Sequence, residues 1–255
     1  MSDHWNFYIA KVDHKVASIM VDLGIKSQAP IITHPHMGYL RLYLQHPNEN
    51  GLSSDVEFNK LCEIGDKIEA NITPQNHLYV GRNTSDGTRD FFFYTHDYDK
   101  LHASIVQVMN SFADYEYEIG GREDGKWLTY KEFLYPDPIA YQTMMNRDVC
   151  EALKKNGDNL EVERLIDHRA YFKTKSQRLN FENFLSAQGF LIKKIGRIKP
   201  IIGDYFIDFE RADIPIEIDN VVMPLFEKIE ELQGTYDGWG CTVAHQLLNK
   251  KAHSN

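Results

Sequence analysis

The chain has 255 residues, a length that allows two domains of ordinary size. Its 42% hydrophobic and 25% charged residues indicate a folded globular protein and exclude a disordered one. The formal net charge of -9 disfavours broad neutralisation of phosphates, so no direct nucleic-acid partner is expected. No apolar run reaches the roughly 18 residues of a membrane span, and no leader pattern is present. We therefore predict a cytoplasmic protein without membrane contact.

The first part of the chain predicts an α+β domain that starts with an extra hairpin. Two strands, Trp5–Val12 and Lys15–Leu23, flank a tight turn at Asp13-His14. From Gly38 onward the hydrophobic patterns indicate strand, helix, strand, strand, helix and strand in that order. The Asp86-Gly87 pair favours a hairpin turn between the two middle strands. This βαββαβ order places both helices on one face of a sheet.

A glycine-rich and charged segment, Gly120–Gly125, is predicted to end this first domain. The domain is therefore assigned to residues 1–124, and residues 125–156 are assigned to a linker. Within this linker, aromatic residues are closely spaced from Trp127 to Tyr135, and a helix is predicted from Asp137 to Asn156.

The last part, residues 157–255, repeats the βαββαβ order without repeating the sequence. Thr174 and Gln177 have the capping-box spacing that opens a helix. Pro224 lies inside a second helical pattern, which requires a helix that begins shortly before it or kinks there. The predicted fold is α+β, with two tandem ferredoxin-like (βαββαβ) domains joined by a helical linker. The predicted elements are the strand Ile166–Phe172, the helix Lys175–Gln188, the strands Phe190–Ile195 and Tyr205–Phe209, the helix Ile218–Leu232 and the strand Tyr236–Val243.

Three cysteines, Cys62, Cys150 and Cys241, are far apart in sequence and form no Cys-x-x-Cys pair. An odd and sparse set of cysteines is typical of reduced thiols in a cytoplasm. We predict three free thiols, with neither a disulfide framework nor a zinc site.

Two stretches of the last part resemble a known bacterial family. The first is Gly157–Leu160 with Ile166–Phe172, and the second is Leu225–Gly240, an acidic helix followed by Tyr-Asp-Gly-Trp-Gly. Together they resemble the regulator of ribonuclease E activity B (RraB) over roughly Met144 to Ala244. The first part is similar to a bacterial domain of unknown function that is fused ahead of such regulators. The residues that carry this second resemblance are Trp5, Gly81, Arg82 and Phe91–Tyr94.

The resemblance implies a ferredoxin-like domain that binds ribonuclease E and inhibits RNA cleavage without chemistry of its own. It implies a protein partner of the endoribonuclease class and no cofactor. Two features depart from the family pattern. Regulators of this family end in a long acidic tail, whereas this chain ends in the basic segment Asn249–Asn255, and it carries a whole additional domain.

The family resemblance is densest at His168–Tyr171 and at Tyr236–Gly240. Trp239 stands between two glycines, which permit an unusual local backbone. Its ring either plugs the end of the sheet or contacts a partner, because tryptophan is enriched at interface hot spots. The predicted partner-binding residues are Trp239 as the anchor, Tyr236 and Asp237 beside it, and His168 and Tyr171 as secondary contacts.

Two further patterns could indicate chemistry, and both have simpler explanations. Asp167 and His168 could form an acid/base pair, but adjacent strand residues point to opposite faces of a sheet. His34, His36 and His46 could bind a metal, but the sequence supplies no clear third and fourth ligand. We therefore expect no metal site and no catalytic pair at these positions.

The segment Gly203–Phe209 is faintly similar to the aromatic strand of RNA-recognition domains, in which rings stack on bases. Asp204 and Asp208 would repel phosphate, so core packing is the predicted role of Phe206. A basic cluster precedes this segment and is interpreted as a solvated edge that guards a strand. Its members are Lys193, Lys194, Arg197 and Lys199.

A second hypothesis comes from a different functional class. His34, His36, Asp97 and Arg82 lie near predicted ends of strands or helices in the first domain, where a small hydrolase could have its site. A deep pocket that collects these four groups would favour the enzyme. A flat sheet face or groove with exposed aromatic residues would favour the binding protein.

Overall fold

The structure is a computed structural model, and it describes residues 2, 4–72, 77–198 and 205–244. The chain forms two compact units, Met1–Tyr141 and Gln142–Asn255, here called the first and second units. Each is built on an antiparallel sheet with accompanying helices, so the protein has a mixed α+β fold. In the described part of the chain, no helix is long and apolar enough to cross a membrane.

The first unit contains a six-stranded sheet with the strand order β1-β2-β4-β5-β3-β6. Both predicted tight turns are present. Asp13 and His14 have φ values of 49° and 66°, and Asp86 and Gly87 have values of 49° and 78°, as two-residue hairpin turns require. The elements are β1 (Trp5–Val12), β2 (Lys15–Asp22), β3 (His36–Tyr43), α1 (Asp55–Ile72), β4 (His77–Ser85), β5 (Thr88–Thr95), α2 (Tyr98–Met109) and β6 (Tyr117–Glu123).

Helices α1 and α2 pack on one face of this sheet. Their apolar residues recur at helical spacing, so each helix presents a continuous apolar stripe to the strands. The carboxylate of Asp97 caps α2 by accepting a hydrogen bond from the Lys100 backbone N–H at 3.1 Å. The fully buried residues of this core include Leu61, Ile64 and Ile68 of α1, Leu101 and Ile105 of α2, and Leu40, Phe91 and Phe93 of the sheet.

The opposite face of the first sheet is covered by the segment that follows β6. Trp127 is fully buried, and its ring stacks on Tyr94 with 3.9 Å between ring centroids. Asp124 holds the segment in place, because its carboxylate accepts hydrogen bonds from the Tyr94 hydroxyl and from the backbone N–H groups of Leu128 and Thr129, at 2.6, 2.8 and 2.9 Å. A π-helix, Thr129–Leu134, completes this cover.

The predicted domain boundary at Gly120–Gly125 is therefore corrected, since the first unit continues along the chain to Tyr141. Gly120 and Gly121 belong to β6 and make room for aromatic rings. A Cβ atom on Gly120 would lie 2.5 Å from the Tyr39 ring, and one on Gly121 would lie 2.3 Å from the Tyr98 ring. These glycines permit close packing within a strand, which in sequence looks the same as a flexible linker.

The predicted linking helix is present as α3 (Pro138–Lys155), within one residue of the predicted bounds. It begins at the end of the first unit, and most of it belongs to the second. The cysteines Cys62, Cys150 and Cys241 are all free thiols.

The second unit contains a four-stranded sheet with the strand order β10-β7-β9-β8. The predicted capping box opens α4, where the Gln177 N–H donates to Thr174 Oγ1 at 3.2 Å and the Thr174 N–H donates to Gln177 Oε1 at 2.9 Å. Helix α5 includes Pro224, and the last strand ends at Gly240, short of the predicted Val243. The elements are β7 (Arg164–Phe172), α4 (Lys175–Ala187), β8 (Leu191–Arg197), β9 (Tyr205–Asp213), α5 (Ile218–Glu231) and β10 (Thr235–Gly240).

Candidate functional site

The second sheet has a helix-covered face and an open face. Alternation along β7 assigns its side chains, because successive residues of a strand point to opposite faces. Ile166, His168, Ala170 and Phe172 are buried beneath α4 and α5. Leu165, Asp167, Arg169 and Tyr171 lie on the other side, which we call the open face.

A β-bulge in β10 decides where the predicted partner-binding residues point. Tyr236 pairs with Ala170 and Trp239 pairs with His168, with a register shift between Tyr236 and Gly238. In a regular strand, residues three apart lie on opposite faces, but the extra residue places both rings on the helix-covered face. Gly238 has a φ of 129°, a conformation that favours glycine.

The indole of Trp239 connects β10 to two helices. Its Nε1–H donates to Asn146 Oδ1 of α3 at 3.0 Å, and Asn146 Nδ2 donates to Asp219 Oδ1 of α5 at 2.7 Å. The ring is partly buried and packs against the apolar cluster of Ile166, Ile218 and Val222. Trp239 therefore plugs this end of the sheet, which is the first of the two predicted alternatives for its ring.

The buried His168 and the partly buried Tyr236 form a polar pair on the helix-covered face. His168 is only 3% exposed, its ring stacks on Phe209 with centroids 5.2 Å apart, and its Nδ1 lies 2.8 Å from the Tyr236 hydroxyl oxygen. Burial, with a smaller contribution from the charge of Arg211, lowers the pKa of His168 to about 3. Burial also raises the pKa of the Tyr236 hydroxyl. A partner cannot reach His168 in this fold, and Asp167 points to the opposite face.

The depressed pKa of His168 should make the second unit sensitive to acid. Unfolded histidine titrates near 6.5, so between pH 6.5 and pH 3 the unfolded chain binds a proton that the folded chain excludes. The contribution of His168 to the free energy of unfolding is fully present above pH 6.5. It falls on acidification, by about 2 kcal/mol at pH 5. Urea denaturation of the wild type and His168→Gln at pH 7.5 and pH 5 measures this, and equal losses in both proteins would contradict it.

The open face carries Tyr171 and Asp237, the other two predicted partner contacts. It also carries Phe206, which was predicted to pack in the core. Tyr171 pairs directly with Phe206 across β7 and β9, and its hydroxyl lies 3.5 Å from the exposed carboxylate of Asp237. The Phe206 ring covers Gly196, where a Cβ atom would lie 2.3 Å from the ring. The predicted core role of Phe206 is therefore wrong. Alternation with the buried Ile207 could have revealed its position.

Ion pairs cross the open face. Arg169 binds both carboxylate oxygens of Asp208, at 2.5 and 2.8 Å. Lys193 bridges Asp167 and Glu210, at 2.7 and 2.8 Å. These pairs neutralise most of the acidic groups on this face.

Three members of the predicted basic cluster, Lys193, Lys194 and Arg197, lie on β8, at the edge of the sheet. A register shift between Ile192 and Lys194 turns the side chains of both Lys193 and Lys194 toward the open face. Lys194 Nζ lies 5.7 Å from the centre of the Phe206 ring. Lys199, Asp204 and the terminal segment Asn249–Asn255 lie outside the described residues.

The first unit has a cavity of about 640 Å³ between its sheet and the π-helix, but the four groups of the enzyme hypothesis do not line it. Asp97 instead caps α2, the buried His34 accepts a hydrogen bond from Trp127 at its carbonyl, and Arg82 lies beside Gly65 of α1. The described residues contain no group of three or more His, Cys, Asp or Glu that could hold a metal ion. The polar residues of the cavity wall are Asp13, Tyr39, Arg41, Asn83, Asp90, Arg122, Thr129 and Glu132.

Solved structures similar to this chain have low identity. An unknown protein from Galdieria sulphuraria is 10% identical, with a TM-score of 0.22, over 80% of this chain and 96% of that one. Protein BT0572 from Bacteroides thetaiotaomicron is 9% identical, with a TM-score of 0.18, over 80% of this chain and 93% of that one. A search of curated proteins found no match.

Family models divide the chain as the structure does. The model of a family of unknown function, DUF695, matches residues 3–135, within the first unit. The model called regulator of ribonuclease activity B, RraB, matches residues 143–241, within the second. The chain therefore belongs to the DUF695 family and carries a C-terminal RraB-like domain.

Proposed function

We propose that this protein is a non-enzymatic, protein-binding regulator whose second unit binds an endoribonuclease and restrains RNA cleavage in a bacterial cytoplasm. The observation that carries the proposal is the match of the RraB model to residues 143–241, which lie within one compact unit. A unit with its own core can present the family's binding surface.

The proposal includes a ferredoxin-like architecture for both units. In the second unit the βαββαβ elements give the strand order β10-β7-β9-β8, in which the first and third strands are central. In the first unit β3 to β6 give the equivalent order β6-β3-β5-β4, and the hairpin of β1 and β2 extends the sheet beside β4. These orders support two tandem units of one topology.

We assign the direct contacts to the open face of the second sheet. Asp237 is exposed and Tyr171 is partly exposed there, whereas His168 is buried and the partly buried Tyr236 packs against the core on the other face. Trp239 supports the surface by fixing β10 to α3. This assignment keeps two of the five predicted residues as contacts and gives the other three a structural role.

Capture from lysate of the source bacterium tests the proposal, with and without nuclease treatment. A ribonuclease should be retained after nuclease treatment, and the purified chain should slow cleavage of an RNA substrate by that enzyme. The double variant Tyr171→Ala, Asp237→Ala should weaken capture about tenfold, or roughly 1.4 kcal/mol, with an unchanged melting temperature. Loss of all capture upon nuclease treatment would show an RNA partner and contradict the proposal.

A further inference from the structure

Strand β8 has one side without a neighbouring strand. It stands last in the order β10-β7-β9-β8, and its backbone pairs with β9 alone among the described strands. Every residue of Leu191–Arg197 is at least partly exposed. An edge strand directs alternate N–H and C=O groups outward, where an added strand can pair with them.

The side chains of this edge combine apolar and basic groups. Leu191 is 64% exposed and Ile195 is 48% exposed. The strand also carries Lys193, Lys194 and Arg197 and no acidic residue, in a chain whose net charge is -9. The edge therefore differs in sign from the protein as a whole and complements an acidic segment.

One of these cations is held against an aromatic ring. Lys193 is neutralised by Asp167 and Glu210, but Lys194 lies over the Phe206 ring, and no carboxylate of the described residues forms an ion pair with it. Lys194 can therefore meet an incoming carboxylate without losing an existing ion pair. The carboxylate of the incoming segment would then lie beside Phe206 on the open face.

We infer that β8 is the docking site for an extended, acidic and apolar peptide segment of the protein partner, which adds to the second sheet as a fifth strand. Main-chain hydrogen bonds to β8 supply affinity, and alternate side chains supply specificity. Lys194 pairs with Asp208 on the open face, whereas Ile195 pairs with the buried Ile207 on the opposite face, so acidic side chains of the segment meet Lys194 and the alternate, apolar ones pack on Ile195. The inference rests on the proposed function, since it names the chemistry of that partner.

Two other occupants fit the edge less well. A second copy of this chain pairing through β8 would bring Lys194 and Arg197 of one copy close to the same cations of the other, and like charges directly opposite are destabilising. Single-stranded RNA would meet the adjoining open face, where the carboxylates of Asp167, Asp208, Glu210 and Asp237 outweigh the cations of Arg169, Lys193 and Lys194, so its phosphates find no net positive charge there.

The test uses the full chain and a fluorescein-labelled heptapeptide of alternating glutamate and valine, with binding measured by fluorescence anisotropy. The wild type should bind this peptide, and hydrogen exchange should slow in Leu191–Arg197. The same peptide with an N-methyl group on every residue should not bind, because neither of its edges can then donate main-chain hydrogen bonds to β8. Failure of the unmodified peptide to bind, or equal binding of the methylated one, would overturn the inference.

A charge-reversed variant locates the site. Lys194→Glu with Arg197→Glu should weaken peptide binding at least about tenfold. Lys154→Glu with Lys155→Glu, the same charge change at the exposed end of α3, is the matched control and should bind like the wild type. Equal weakening in both variants would mean non-specific attraction, and binding of a labelled oligouridylate that is lost in Phe206→Ala would mean an RNA surface. Either result overturns the inference.

Failure of the inference can be told from failure of the proposed function. If the charge-reversed variant still captures the ribonuclease with wild-type affinity, the regulator function stands and docking at β8 is wrong. If the wild type captures no ribonuclease but binds the peptide with the expected pattern, docking at β8 stands and the proposed partner is wrong.

Discussion

Trp127→Ala should lower the free energy of unfolding of the first unit by about 3–5 kcal/mol, the usual cost of deleting a large buried ring. Trp127 is fully buried, stacks on Tyr94, and donates from Nε1 to the His34 carbonyl oxygen at 3.0 Å. Its removal would leave a cavity and an unpaired carbonyl beneath the segment that covers the sheet. Urea denaturation of the full chain, with hydrogen exchange to assign the transition to the first unit, measures the loss.

Leu128→Ala is the matched control for this variant. Leu128 is the next residue in the same segment but is 42% exposed, so its truncation should cost less than about 1 kcal/mol. A similarly small loss for Trp127→Ala would mean that residues 126–135 form a linker after all. The comparison therefore tests the correction of the domain boundary directly.

Trp239→Ala should lower the free energy of unfolding of the second unit by about 2–3 kcal/mol, less than a fully buried tryptophan because the ring is partly exposed. The variant loses packing on Ile166, Ile218 and Val222 and leaves Asn146 without the indole donor. Trp239→Phe separates the two effects, since it keeps a ring and loses the hydrogen bond, at about 1 kcal/mol.

Asp237→Ala is the control in the same strand, because Asp237 is exposed. Its only side-chain hydrogen bond among the described residues is the 3.5 Å bond from the Tyr171 hydroxyl. It should leave stability nearly unchanged. Unchanged stability in Trp239→Ala together with a large loss of partner affinity would identify Trp239 as an interface anchor. Stability loss in Trp239→Ala alone would place its ring in the core, as the hydrogen bond to Asn146 indicates.

The element order of both units could be predicted from the sequence because it depends on local signals. The capping box at Thr174 and Gln177, the tight turns at Asp13-His14 and Asp86-Gly87, and the helical spacing of apolar residues act within a few positions. The helix α3 was located within one residue for the same reason. Local hydrogen bonds and turn geometry depend on residues only a few positions apart, so the sequence predicts them directly.

The domain boundary could not be predicted in this way. Glycine serves both flexible linkers and close packing, and only the rings of Tyr39 and Tyr98 show which role Gly120 and Gly121 have. The same holds for the segment after β6, where Trp127 and Tyr130 are fully buried against a sheet formed by strands distant in sequence. Such contacts have no local signature.

The sequence by itself determined which helices and strands form, and family resemblance in the second unit located the conspicuous residues around Tyr236–Gly240. Only the tertiary structure decided which face those residues occupy. The bulge at Gly238 turns Trp239 toward Asn146, and the bulge in β8 turns Lys193 and Lys194 toward one face. A single extra residue reverses the facing of every side chain beyond it. Whether a strand contains such an extra residue depends on how the strand pairs with its neighbour, which the sequence of one strand does not show.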